Sequence, residues 1–101
     1  MTHYREVVIE TYWGVATHAS GGLRARPVDG QGFPNDMNVE CSIKMRRGYP
    51  AGTRFLITAR IKSKEGGEPF LYCHYNHPHK VLSDEEFALW QQRTTLKDMR
   101  L

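Results

Sequence analysis

The chain has 101 residues, 40% apolar and 25% charged, with 14 Lys and Arg against 11 Asp and Glu for a net charge of +3. A chain of this length buries about two-thirds of its unfolded surface, which suffices for one modest core and leaves no room for a separate catalytic domain; residues 1–101 are read as a single domain. Two cysteines are too few for a disulfide scaffold, and with no legible signal peptide and no apolar run near the ~20 residues of a membrane span the expected location is cytoplasmic.

Residues 4–13 read as the first strand. Val7, Ile9, Thr11 and Trp13 fall on one face and Tyr4, Glu6, Val8, Glu10 and Tyr12 on the other. Apolar or aromatic side chains on both faces are more than a monomer usually leaves wet. Tyr4, Val8 and Tyr12, joined by Leu56, are therefore the candidate self-association surface of a two-fold homodimer, unless the C-terminal helix covers them. Gly21-Gly22 can turn the chain into a short strand over 23–28, which Pro27 confines to a sheet edge. Residues 29–38, with Gly30, Gly32, Pro34, Asn35 and Asp36, have loop chemistry. A loop of that length in a small domain is often a binding loop or a mobile one, and a small-ligand pocket beneath it is one reading.

A strand over 39–46 places Val39, Cys41, Ile43 and Met45 inward and Glu40, Ser42 and Lys44 outward. Residues 46–52 turn the chain into a long hairpin with arms at 53–64 and 69–76. On the first arm Phe55, Ile57, Ala59 and Ile61 face a core while Arg54, Thr58, Arg60 and Lys62 face water, with Leu56 the one apolar residue on the wet side. Gly66-Gly67 suits the positive φ of a tight turn. A two-residue turn sets Ile61 opposite Tyr72 and Pro69 opposite Lys64, where a missing N–H costs little. A three-residue loop instead faces Leu71, Cys73 and Tyr75 inward. The proline favours the two-residue turn. Cys41 and Cys73 read as small buried apolar groups, although across paired strands they could face each other.

Asn76-His77-Pro78 ends the hairpin, and a helix follows over 84–97. Ser83 is its N-cap, Glu86 completes a capping box, Leu82 and Phe87 sit at staple positions, and Asp84 and Glu85 suit the positive end of the helix dipole. Phe87 and Trp90 should dock on the sheet. Thr94-Thr95 weakens the helix beyond Gln92.

Short strands followed by one helix describe a mostly-β or α+β domain, here a half-open antiparallel barrel of about five strands. The run Gly48-Tyr49-Pro50-Ala51-Gly52-Thr53, the alternating strand, the Gly-Gly hairpin and the aromatic return strand, residues 48–75, resemble a small SH3-like β-barrel. A small single domain without enzyme or targeting motifs is also similar in kind to the orphan proteins of integron gene cassettes.

Cys73-His74-Tyr75-Asn76-His77-Pro78-His79 is the densest cluster of potential metal ligands. Its spacing matches no zinc pattern, and Cys73 and His74 point to opposite faces of a strand. The reading is a solvated strand end without a metal; His74, His77 and His79, with His3 or His18, are the set a metal would use. Cys73 with His77 lacks the third orienting group of a catalytic set, Ser83 serves as a cap, and each carboxylate pair has a structural explanation. No catalytic residue and no cofactor is expected.

Between Val39 and Lys64 stand seven Lys and Arg against the single acid Glu40. Lys44, Arg54, Arg60 and Lys62, interleaved with Tyr72 or Tyr75 according to register, are the candidate nucleic-acid-binding residues. Small barrels use such faces for single strands, with cations on phosphates and aromatics under bases. The plainer account is a solvated sheet face whose charges discourage edge pairing. The sequence thus points to a non-catalytic binding module for single-stranded nucleic acid, with a homo-oligomeric interaction module as the alternative.

Overall fold

The computed structural model of the protein describes residues 3–14, 22–42, 45, 47–63, 66–74 and 77–98. Its elements are β1 (Arg5–Trp13), β2 (Leu23–Pro27), β3 (Val39–Glu40), β4 (Arg54–Ser63), β5 (Pro69–Tyr72), β6 (His79–Leu82) and the helix α1 (Asp84–Asp98).

Everything is hung on β4. One of its edges takes β1 antiparallel, from Arg5↔Ala59 to Glu10↔Arg54. The other edge is shared: β6 pairs with its first half, from Arg54↔Leu82 to Ile57↔His79, and β5 with its second, from Arg60↔Tyr72 to Ser63↔Pro69. The order β2-β1-β4-β5-β3 then curls until β2 and β3 approach, giving a nearly closed barrel. Period-two alternation explains the interior. Val7 and Ile9 of β1, Phe55, Ile57 and Ala59 of β4, and Leu71 of β5 are buried and in mutual contact with Ala25, Val39 and Cys73.

Four sequence expectations are corrected here. The hairpin has the register of the three-residue loop, with Ile61 opposite Leu71. Leu71 is fully buried and Cys73 nearly so, and burying that pair outweighs the proline argument. Pro69 opens β5, where a missing N–H is tolerated in either register. The strand expected over 39–46 ends at Glu40, and Met45 and Arg47 are helical instead, with Met45 delivered into the core. The hairpin does not end the sheet, because after Pro78 the chain returns as β6 to the edge that β5 has left. Trp13 shares the inward parity of Ile9 but is 68% exposed, since β1 there overruns the barrel.

The helix begins as its residues require. Ser83 Oγ accepts from the Glu86 N–H at 3.1 Å and Glu86 Oε1 from the Ser83 N–H at 3.0 Å, a reciprocal capping box. It runs on to Asp98, with the Thr94 hydroxyl turned back to donate to the Trp90 carbonyl at 3.0 Å. Phe87 and Trp90 stack at 5.8 Å, and the Arg54 guanidinium lies 4.0 Å from the Phe87 ring centre. The helix therefore packs beside β6 with Phe87 against Arg54, on the outer side of β4; Val8 is fully buried and Leu56 half-buried. Among the described residues no helix is long and apolar enough to cross a membrane.

Candidate nucleic-acid interface

Alternation along β4 sends Arg60 and Lys62 to the outer side beyond the reach of α1. The observed register brings Tyr72 to the same side, directly opposite Arg60. On the other flank the β1–β4 ladder, extended one step past Arg5↔Ala59, brings Tyr4 beside Arg60. The Arg60 guanidinium lies 5.3 Å from the Tyr4 ring centre, and Lys62 Nζ lies 4.2 Å from that of Tyr72. His77 meets Tyr4 edge-on at 4.3 Å. His74 completes the row, 6.3 Å from Tyr72 and 5.7 Å from His77. The ends of β4 and β5 and the residues beside them thus bring two cations and four rings together, each cation against a tyrosine ring and the rings in contact with one another. Each cation–ring contact contributes about 0.5–1 kcal/mol at such exposure, enough to bias the rings toward one orientation.

Two polar atoms within the patch, Arg60 Nε and His77 Nδ1, are buried and have no hydrogen-bond partner. Arg54 Nε, outside the patch, is in the same condition. Two acids border the patch. Glu40 pairs with Tyr72 across β3 and β5, and Glu6 pairs with Thr58. The basic strip is therefore short.

The other sequence candidates fall elsewhere. Arg54 is on the same side of β4 but six residues away, about 20 Å along the strand. It is held at 3.4 Å from Glu10 and 3.3 Å from Asp84 while covering Phe87, so its charge is committed within the fold. Lys44 and Tyr75 lie outside the described residues. Of the self-association set, Val8 is fully buried and Leu56 half-buried, Tyr12 has the Arg26 guanidinium 4.6 Å from its ring centre, and Tyr4 is exposed beside Arg60.

His74, His77 and His79 are not gathered around one point. His79 sits on β6 opposite Ile57, 6.2 Å from the Phe55 ring, and among the described residues no three His, Cys, Asp or Glu side chains converge as metal ligands. His18 lies outside the described residues, and His3 is exposed. Burial pushes the Cys73 thiol up, against a smaller opposing contact with the Thr58 backbone, so it is mostly protonated and is not the thiol that an external partner meets first.

The 29–38 loop is pinned at Gln31. The Gln31 amide accepts from the Val8 N–H at 2.8 Å and donates to the Val8 and Val28 carbonyls at 2.8 and 2.9 Å. Gly30 and Gly32, at φ +93° and +85°, make the two bends that turn Gln31 inward. An open cleft of about 530 Å³ runs between this loop and Trp90 and Thr94.

Sequence reasoning placed Tyr4 in the self-association set, read His74 and His77 as a solvated strand end that a metal would use only as an alternative, and placed none of them with Arg60. Their meeting depends on the registers of two ladders, which no local pattern encodes. No protein-family model matches the chain, and neither the curated proteins nor the solved structures contain a match to it.

Proposed function

We propose that the outer surface formed by Tyr4, Arg60, Lys62, Tyr72, His74 and His77 binds single-stranded nucleic acid. The observation that carries this reading is the pair of cation–ring contacts, Arg60 on Tyr4 and Lys62 on Tyr72, on neighbouring strands of one sheet side. Bases stack on aromatic faces regardless of sequence, while Arg and Lys follow the phosphates. Sheets that work this way stack roughly two or three bases, which suits a patch of this width. Selectivity for one base is not implied, because the row offers ring faces and charges with little directional hydrogen bonding.

The test is a titration of a labelled single-stranded oligonucleotide at several salt concentrations, beginning near about 50 mM. Two phosphate contacts, from Arg60 and Lys62, give a log–log salt slope of about −1.4, at roughly −0.7 per contact for single strands. Arg60→Ala halves that slope. Tyr72→Ala weakens binding several-fold and leaves the slope in place. An oligonucleotide that fails to bind at the lowest salt sinks the proposal and leaves a solvated basic face.

A further inference from the structure

We propose that Cys41 and Cys73 are a redox pair that closes into an intrachain disulfide when the protein meets a disulfide oxidant such as oxidised glutathione. Both are thiols in the structure. The parallel ladder between β3 and β5 runs Val39↔Leu71, Glu40↔Tyr72, and the Cys73 N–H donates to the Glu40 carbonyl at 2.9 Å. One further step of that register sets Cys41 beside Cys73. Parity agrees: Val39 and Leu71 point into the core, and so do the residues two positions on, with Cys73 inside the core cluster and Cys41 packed against it. Neighbouring strands lie about 4.8 Å apart. That separation falls within the Cα–Cα range of roughly 4.4–6.8 Å that a disulfide spans.

The two thiols differ in access, which sets the order of events. Cys41 is half-buried and Cys73 is buried. Cys41, as thiolate, attacks one sulfur of oxidised glutathione, forming a mixed disulfide and expelling one glutathione thiolate. Cys73 passes its proton to that thiolate and attacks the Cys41 sulfur, expelling the second. Two cysteine sulfurs lose two electrons, one glutathione disulfide gains them, and two glutathione thiols leave. The product ties β3, a strand of only two residues, to β5, and closes the loop between residues 41 and 73. Tyr72 sits next to the cross-link in sequence, but the pairing stands on register and burial and does not depend on what Tyr72 binds.

The full-length protein is incubated with oxidised glutathione, then denatured, and its thiols are titrated alongside an intact-mass measurement and a peptide map. The expected result is loss of both thiols, a mass lower by two hydrogens, one Cys41–Cys73 peptide and a raised Tm that dithiothreitol returns to its starting value. Cys41→Ser, at the half-buried position, retains one thiol that oxidised glutathione modifies slowly. Two titratable thiols after oxidation, a stable glutathione adduct on the wild-type chain, or a cross-link between chains would each overturn the proposal.

Discussion

Gln31 is a residue whose importance lies in what its amide replaces. Pro27 ends β2 opposite Ile9, and the Gln31 side chain then serves Val8 as a further piece of strand would. Gln31→Ala leaves the Val8 N–H without that partner, so chemical denaturation should show a loss of roughly 1–3 kcal/mol. An unshifted midpoint would mean that water replaces the amide without cost. Nothing in the sequence marks this role, because Val8 and Gln31 are 23 residues apart. Glu86 is the opposite case, legible from its spacing to Ser83 alone. The Lys80 ammonium at 2.6 Å, then the Ser83 backbone and hydroxyl, hold its carboxyl at about 2, below an ordinary 4.5. The folded chain keeps this group ionised where the unfolded chain takes up a proton, so its contribution is present above pH 4.5 and is lost as pH falls toward about 2. Replacing Glu86 by Gln should flatten stability across that acid window in pH-dependent thermal melts. A wild-type and E86Q difference that stays constant through the window counts against the assignment.

At the scale of elements, alternation identified β1 and β4 because it is a local property of strands with one buried face. Their partners were harder to read. The hairpin register was decided by whether Leu71 or Tyr72 enters the core, a comparison of packing that the turn residues do not express. Alternation also misled over 39–46, since a helical turn placed Met45 in the core as effectively as a strand would have. The helix was legible at its start and ambiguous in its docking site. Its placement rests on the stacked Phe87 and Trp90, on Arg54 against the Phe87 ring, and on contact with β6. Phe87→Ala should cost roughly 1–3 kcal/mol through lost burial, stacking and the cation–ring contact. It should also raise the mass measured in solution at micromolar concentrations, because uncovered apolar surface seeks another chain. A variant of unchanged stability and mass would show that α1 does not shield that side.

For the whole molecule, the sequence established a small mostly-β barrel with one helix, and the structure bears this out with six strands where about five were expected. Of the residues first assigned to the basic face, Arg60, Lys62 and Tyr72 lie together, whereas Arg54 is neutralised within the fold. The cause is electrostatic and long-range: Glu10 and Asp84 reach Arg54 from β1 and α1, and neither is near it in sequence. What remains is a short strip on a molecule of net charge +3, so attraction from a distance is weak and contact geometry has to do most of the selecting.

Val7, Val8 and Ile9 are all fully buried, though they stand in a row on one strand. The strand that pairs with all three is β4, which begins at Arg54. A ribosome adds about 5–20 residues each second, so β1 waits several seconds for it. Pairing with β2 occupies one edge at its C-terminal half early, but the edge that β4 will take stays open through that interval on a short β-branched segment, the form in which chains template one another. Arg5, Glu6 and Glu10 flank the apolar run, the positions at which charged residues discourage such pairing.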